Sequence, residues 1–300
     1  MGIDLGLASR AAERRLWIAL TVSLLIVIVE VVGALIGQSL ALLSDSAHVL
    51  TDVLTVGVAI LTLRLGRRRH TPRRTFGYHR AEIFAALVNG STLVVVSLVI
   101  IYEAYLRLQQ PPRVQGPLVL GIASVGLLGN LGMAGLLAPG RKVSLNVRGA
   151  FLHAAGDTLS SLAVIVSSLV VILSGYYVID PLVAALIGLL IIRSAYVLTR
   201  DSANILLEST PKHLELGKIA DTIKGAEGVK GVHDLHVWTI TSGLYALSGH
   251  ITVDSDRIKD GSAIIEKVAA KLKDSFGIEH VTLQMERERL ESLEGGDTRL

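Results

Sequence analysis

Residues 39–64 read SLALLSDSAHVLTDVLTVGVAILTLR, an apolar run that is interrupted by Asp45, His48 and Asp52. Folded as an α-helix, a run of this length can cross the hydrocarbon core of a bilayer, which is about 30 Å thick. Ionisable side chains are rare inside membranes, and those that occur there usually pair with one another or mark an ion pathway. The run therefore predicts a transmembrane helix that carries a polar site.

The spacing of His48 and Asp52 recurs at His153 and Asp157, in a later apolar run. Residues four apart lie on one face of an α-helix, so each pair directs an imidazole and a carboxylate the same way. Two antiparallel helices with both pairs near mid-membrane would gather two nitrogens and two oxygens, a tetrahedral set that suits Zn²⁺. The alternative, that each histidine is only a buried hydrogen-bond partner, fits two matching pairs less well.

Other polar residues also fall within apolar runs. Asp45 shares a helix face with His48, and it either lines an outward vestibule or bonds to a neighbouring helix. Asn89 and Asn130 are predicted to form interhelical hydrogen bonds. Glu30 and Glu103 are expected near the outer ends of their helices, where a carboxylate costs less, and they are assigned no role.

The composition argues against a wholly soluble protein. Of the 300 residues, 51% are hydrophobic and 18% are charged, whereas about a quarter of the residues of soluble domains are charged. The mean hydropathy is +0.55. The chain has no cysteine, so disulfides and thiolate metal ligands are impossible. Any metal ion must therefore bind to histidine and carboxylate side chains.

Six segments are apolar and long enough to cross a membrane. They are Leu16–Gly37, Leu40–Leu63, Ile83–Leu106, Pro117–Ala138, Val147–Ser174 and Val178–Leu198. Residues 1–15 lack the apolar stretch of a signal peptide, so we expect the first segment to be retained. These features predict a cytoplasmic segment at 1–15 and a domain of six transmembrane helices at 16–200.

Basic residues indicate the orientation of these helices. Arginines are concentrated before the first span and between spans two and three, where Arg64–Arg80 contains seven of them. By the positive-inside rule both termini are cytoplasmic. We expect a multi-pass integral protein of a prokaryotic plasma (inner) membrane. A role for the arginine-rich loop at a lipid headgroup or between domains is the alternative to this topological role.

Residues 201–290 have the pattern of a soluble α+β domain, and 291–300 are predicted to be a disordered tail. Alternating strands are expected around the Ser242-Gly243 turn, with helical spacing before and after them. The predicted elements are a helix at Leu214–Glu227, strands at Val232–Thr241 and Leu244–Val253, a helix at Ile258–Phe276 and a strand at His280–Glu286. This α-β-β-α-β domain is small enough to benefit from pairing with a second copy.

Five motifs together give the chain a family resemblance. They are SLALLSDSAHVLTD (39–52), FGYHRAEIFAALVNG (76–90), the second His-x-x-x-Asp at 153–157, IDPL (179–182) and VHDLHVW (232–238). With them the chain resembles the zinc-transporting branch of the cation diffusion facilitator family. The resemblance implies six membrane helices, a cytoplasmic metallochaperone-like regulatory and dimerisation domain, and a homodimer that exchanges divalent metal for protons.

The resemblance also implies two sets of metal ligands. In the membrane they are His48, Asp52, His153 and Asp157, and in the tail they are His233, His250 and Glu286. Strict strand alternation instead places His236 on the side of His250 and Glu286. His233 is retained on the expectation that it precedes the regular strand. A further site involving His280, His70 or His79 is left open.

These expectations favour a secondary transporter that exports zinc, with cadmium and cobalt as further candidates, in exchange for protons. Histidine and aspartate must be deprotonated to hold a metal ion, so binding releases protons. Zinc is expected both as the transported substrate and as a structural or regulatory ion in the tail. The partners predicted are the lipid bilayer and a second copy of the chain, with no nucleic acid.

A passive channel or a sensor remains the alternative. An intramembrane metalloenzyme is disfavoured because His-Glu-x-x-His is absent, so no enzyme activity is expected.

Overall fold

The computed structural model describes residues 4–66, 72, 75–137, 145–241, 243–254 and 257–287. Within these ranges, the side chains of 4–19, 52, 55, 56, 58–66, 133, 136, 137, 145–155, 257, 258 and 287 lie outside the description. The long helices are α1 (Asp4–Gly37), α2 (Leu40–Gly66), α3 (Arg80–Gln109), α4 (Gly116–Leu137), α5 (Leu145–Ser174) and α6 (Ile179–Leu206). They are followed by α7 (Leu216–Lys224), β1 (Val229–Thr241), β2 (Leu244–Val253), a 3₁₀ turn (Arg257–Asp260), α8 (Gly261–Phe276) and β3 (Ile278–Arg287).

The chain forms two compact units. The first, the helical unit, contains Met1–Leu61 and Ala86–Thr199. The second, the tail unit, contains Thr62–Ala85 and Arg200–Leu300.

The helical unit has the surface of a membrane protein. Among the described residues, α1, α3, α5 and α6 are long and apolar enough to cross a bilayer, and α4 contains a shorter apolar stretch. Large aliphatic side chains such as Leu128, Leu159 and Leu173 are mostly exposed on the outside of the helices. In water such extensive apolar surface would be unfavourable, whereas in a bilayer it faces lipid. The chain is therefore an integral membrane protein.

Contacts at one end of the helical unit hold the start of α2. Asp180 Oδ1 accepts a hydrogen bond from Ser39 Oγ at 2.5 Å, and its Oδ2 accepts one from the Leu40 backbone N–H at 2.7 Å. The carboxylate thus satisfies donors that have no partner within the helix. Arg107 Nη1 donates to the Gln38 carbonyl at 2.9 Å. The break between α1 and α2 falls where the bounds of the first two apolar segments placed it, and it positions the polar residues one and two turns into α2.

The tail unit is built on a three-stranded sheet in the order β1-β2-β3. β1 and β2 are antiparallel, and β2 and β3 are parallel. Side chains from α7, α8 and one sheet face form the core, which includes Ile219, Ile223, Leu247, Ile251 and Leu272. The predicted order of elements is the observed one, although β1 begins earlier than expected, at Val229.

Both helices of the tail unit are followed by a glycine, and the glycine after α8 is left-handed. α7 stops at Lys224, short of the predicted Glu227, where the Gly225 N–H donates to the Asp221 carbonyl at 2.9 Å. α8 ends at Phe276 as predicted, because Gly277 adopts the left-handed conformation, with φ at 68°. A left-handed glycine is the commonest way to end a helix.

Candidate metal sites

A membrane pair, His48 and Asp157, joins the two helices that carry the repeated spacing. His48 Nε2 lies 3.2 Å from Asp157 Oδ1, and the Asp157 side chain is buried. Ligand atoms of a tetrahedral zinc ion with bonds of about 2.0 Å are themselves about 3.3 Å apart. The two atoms can therefore share a proton or coordinate one metal ion together.

The other two predicted membrane ligands lie on the same helices. Asp52 is in α2, one turn after His48, and His153 is in α5, one turn before Asp157. The side chains of Asp52 and His153 lie outside the described residues. Thus the structure brings together one member of each predicted pair.

Next to the membrane pair, α2, α4 and α5 are joined by buried hydrogen bonds. Ser160 Oγ donates to Asp45 Oδ1 at 2.5 Å, and Ser161 Oγ donates to Asp45 Oδ2 at 3.0 Å. Asn130 Nδ2 donates to Ser161 Oγ at 3.3 Å, so the predicted interhelical hydrogen bond of Asn130 is confirmed. For Asp45, the structure favours bonding to a neighbouring helix over lining a vestibule.

Glu30 was expected at a position in its helix where a carboxylate costs little free energy, and this expectation is wrong. Glu30 is only 1% exposed, and neither carboxylate oxygen has a hydrogen-bond partner among the residues that the structure describes. Glu103 differs, because its side chain is 42% exposed and forms an ion pair with Arg107 at 2.9 Å.

A sequence signal for the burial of Glu30 existed. Glu30 shares a stripe of α1 with Gly33, Ala34 and Gly37, all of which are buried. Small residues at this spacing are typical of close helix packing in membranes. The stripe therefore marks the packed face of α1, on which Glu30 lies.

The second site is a tail triad, formed by His233, His250 and Glu286. His233 and His250 are direct partners across β1 and β2. His233 Nε2 lies 3.2 Å from Glu286 Oε2, and His250 Nδ1 lies 3.0 Å from Glu286 Oε1. One ligand atom from each residue lies within 4.8 Å of the other two. In the part of the chain that is described, this is the only such group of three histidine, cysteine or acidic residues.

A β-bulge explains why strict alternation selects the wrong histidine. β1 begins at Val229, so the expectation that His233 precedes the regular strand is wrong. The register instead shifts between His233 and His236, where Asp234 has a φ of 49°. An extra residue in one strand reverses which side chains share a face. His236 is therefore outside the triad, with its side chain 64% exposed and 2.9 Å from Asp234 Oδ1.

Two further features support the geometry of the triad. Glu286 is only 3% exposed, and its Oε1 accepts a hydrogen bond from Gln284 Nε2 at 2.9 Å. Gly249 leaves room for the bulge, because a Cβ atom there would lie 3.0 Å from Leu235 Cδ1. Ligand carboxylates that are held by a second residue are oriented more firmly towards a metal ion.

The remaining histidines form no comparable cluster among the described residues. The His280 ring packs edge-on against Phe76, with ring centroids 6.3 Å apart. His79 has no place in a group of three possible ligands within the described ranges. His70 lies outside the described residues.

Comparison with known proteins agrees with this arrangement. Residues 16–207 match the cation efflux transmembrane domain, and residues 211–288 match the cytoplasmic domain of cation efflux proteins. The chain belongs to the cation efflux family. The family resemblance predicted from the motifs is thereby confirmed.

This cation efflux protein has close relatives of similar length. It is 42% identical over 264 residues to the cadmium, cobalt and zinc/H(+)-K(+) antiporter of Bacillus subtilis. The matched region covers 87% of this chain and 85% of the relative. It is 38% identical over 275 residues to the zinc transporter ZitB of Escherichia coli, covering 91% of this chain and 87% of the relative. A solved structure, the metal-bound C-terminal domain of the CzcD transporter from Cupriavidus metallidurans, matches 24% of this chain and 99% of that chain, at 34% identity and a TM-score of 0.23.

Proposed function

We propose that this cation efflux protein is a secondary transporter that exports zinc from the cytoplasm in exchange for protons. Cadmium and cobalt are further candidate substrates. The observation that carries the proposal is the 3.2 Å approach of His48 Nε2 to Asp157 Oδ1 between two membrane helices. Family membership and the substrates in the names of the relatives support the same function.

The proposed transport site consists of His48, Asp52, His153 and Asp157. Two imidazoles and two carboxylates form a mixed nitrogen and oxygen set, which suits zinc better than an all-oxygen set does. Four strong ligands bind a metal ion too tightly for rapid passive conduction, which disfavours a channel. The protein is proposed to be a transporter without enzyme activity.

Proton exchange follows from the chemistry of the ligands. Zinc binds the deprotonated forms of histidine and aspartate, so loading the site from the cytoplasm releases protons. When the site faces outward, protons that bind to the same groups displace the zinc ion. A proton gradient can therefore drive zinc export without ATP.

The proposed topology has six spans with both termini in the cytoplasm. If all six helices α1–α6 cross the membrane, both termini lie on one side, and the positive-inside rule assigns the arginine-rich segment between α2 and α3 to that same cytoplasmic side. We assign 1–15 to a cytoplasmic segment, 16–200 to the membrane domain, 201–290 to a cytoplasmic dimerisation domain and 291–300 to a tail. A prokaryotic plasma membrane fits this distribution of charge.

In the cytoplasmic domain at 201–290, His233, His250 and Glu286 are proposed to hold a structural or regulatory zinc ion. Their ligand atoms are close enough to reach one ion, and the site is largely buried. Three protein ligands leave one position of a tetrahedron for water or another group. Such an ion would join three strands and stabilise the domain through which two copies pair.

The direct test is zinc uptake into proteoliposomes that contain the full chain. We expect uptake to follow an imposed pH gradient and to be abolished by Asp157→Ala. Asp221→Ala, which changes an exposed carboxylate of α7, is the matched control and should leave uptake unchanged. Uptake that ignores the gradient would indicate a channel, and normal uptake by Asp157→Ala would contradict the assigned site.

A further inference from the structure

Glu30 is a buried acid that the proposed transport site does not use. It is 1% exposed, and no described residue donates a hydrogen bond to its carboxylate. Among the described residues, the charged side chains that interact electrostatically with it are Asp45 of α2 and Asp157 of α5, which are also carboxylates. An ionised carboxylate in an apolar interior is strongly destabilising unless a positive charge accompanies it.

The Glu30 carboxylate lies close to the Gly126 backbone of α4 and to the Ser161 hydroxyl of α5. A Cβ atom added at Gly126 of α4 would lie 2.2 Å from Glu30 Oε1 and 3.9 Å from Ser161 Oγ. The carboxylate therefore rests against the α4 backbone, in space that any other residue at 126 would fill. Ser161 connects this point to Asp45 at 3.0 Å and to Asn130 at 3.3 Å. The Asn130 Oδ1 atom is also buried without a donor among the described residues.

We call Glu30, Asp45, Asn130 and Ser161 the oxygen layer. The atoms that it could offer as ligands to a cation are carboxylate, amide and hydroxyl oxygens. Such oxygens suit hard cations, whereas the imidazoles of the transport site suit zinc. Asp45 precedes His48 by three residues, and Ser161 follows Asp157 by four, so the layer lies about one helical turn from the membrane pair. The two sites are adjacent but differ in ligand chemistry.

We propose that Glu30 binds the monovalent cation that is exchanged for zinc, in a site separate from the zinc ligands. The cation is a proton or an alkali-metal ion, since either supplies the single positive charge that no described residue brings to the buried carboxylate. This inference rests on the proposed antiport function. It assigns the two halves of the exchange to two neighbouring layers of the same helix bundle.

Glycine substitutions in α4 provide matched variants. Gly126→Ala places a methyl group against the Glu30 carboxylate. Gly132→Ala makes the same change in the same helix, where a Cβ atom would meet no atom of the described residues within 4 Å. Gly129→Ala would meet Ile26 Cδ1 at 2.5 Å, so it disturbs the packing between α1 and α4 without meeting Glu30. Glu30→Gln keeps the shape of the side chain and removes its charge.

The experiment measures zinc uptake by full-length protein in proteoliposomes under a pH gradient alone, a K⁺ gradient alone, or neither. Zinc affinity is measured separately by competition with a fluorescent chelator. For Glu30→Gln and Gly126→Ala, we expect the gradient to stimulate zinc uptake about tenfold less, or weaker still, than in the wild type. A change of this size is typical when one bound ligand affects a second site. Zinc affinity should stay near the wild-type value, and Gly132→Ala should behave as the wild type.

The gradient arms identify the cation. Stimulation by the pH gradient alone would identify a proton, and stimulation by the K⁺ gradient alone would identify an alkali-metal ion. Gly129→Ala should retain coupling, because the predicted effect depends on contact with Glu30 and not on tight packing. An equal loss of coupling in Gly129→Ala and Gly126→Ala would overturn the inference.

Failure of the inference is distinguishable from failure of the proposed function. If wild-type protein takes up no zinc under any gradient, the transporter assignment itself fails. If wild-type uptake is coupled and Glu30→Gln retains the full stimulation, only the role of Glu30 is overturned. If Glu30→Gln loses zinc affinity in parallel with coupling, Glu30 belongs to the zinc site and the separate layer is refuted.

Discussion

The membrane pair and the tail triad use the same kinds of side chain in different mechanical settings. His48 and Asp157 lie on two helices, whose backbone hydrogen bonds are satisfied within each helix. His233, His250 and Glu286 lie on three strands whose ladders join them directly. Helices can shift against each other by small movements at their packed faces, whereas a strand ladder fixes the distance between ligands. We therefore expect the proposed membrane site to release zinc readily and the proposed tail site to retain it.

The largest expected contrast between the two sites is in transport. Removing the carboxylate in Asp157→Ala should lower gradient-driven zinc uptake by about 100-fold or more. Even substitutions of residues that only hydrogen-bond to metal ligands lower metal affinity or activity by about 10–100-fold. The double variant His250→Ala/Glu286→Ala should retain part of its uptake, because the four proposed membrane ligands remain. Parallel uptake assays on equal amounts of reconstituted protein test this. Complete loss in the double variant would make the tail an obligatory part of the transport cycle.

The next contrast concerns local stability. Zinc at about 100 times its dissociation constant should stabilise the tail by about 2.7 kcal/mol, because it binds the folded form alone. Hydrogen exchange of the full-length protein should therefore slow in β1, β2 and β3 when zinc is added. His250→Ala/Glu286→Ala should remove this protection, and lower pH should weaken it, because protonated imidazoles do not bind metal. Equal exchange with zinc and with chelator would argue against a metal site in the tail.

A smaller effect is expected on selectivity. His48→Asp replaces a nitrogen ligand with oxygen, which makes the membrane site harder and should improve uptake of Mn²⁺ relative to Zn²⁺ by about tenfold. His236→Asp makes the same change at an exposed position outside the triad, so it is the control. Competition uptake with mixed metals measures the ranking. An unchanged ranking for His48→Asp would place His48 outside the metal's ligands.

Helical spacing predicted that the two residues of each His-x-x-x-Asp repeat share one helix face, and the matching depth of the two repeats predicted that the faces meet. His48 and Asp157 each belong to a His-x-x-x-Asp repeat, and a period of 3.6 residues puts both members of a repeat on one face. The turn at Gln38 and the α-β-β-α-β order of the tail were also predictable, from turn residues and alternation. These features depend on local sequence.

The features that were missed depend on contacts between distant residues. Asp234 is left-handed and lies in a β-bulge. The bulge places His233, and not His236, on the side of the sheet that carries the triad, and no local sequence pattern marks the bulge. The burial of Glu30 requires α1 to pack on α4 at Gly126, a contact that lies 96 positions away in sequence (126 − 30 = 96). For Glu30, the small residues on the same stripe were the available signal.

Zinc release from the purified full-length protein tests the comparison most directly. Protein loaded with zinc is mixed rapidly with excess chelator, and the released metal is followed over time. We expect a fast phase from the membrane site and a slow phase from the tail. Asp157→Ala should lack the fast phase, and His250→Ala/Glu286→Ala should lack the slow one. A single phase in the wild type, or loss of the slow phase in Asp157→Ala, would contradict the division between a site for release and a site for retention.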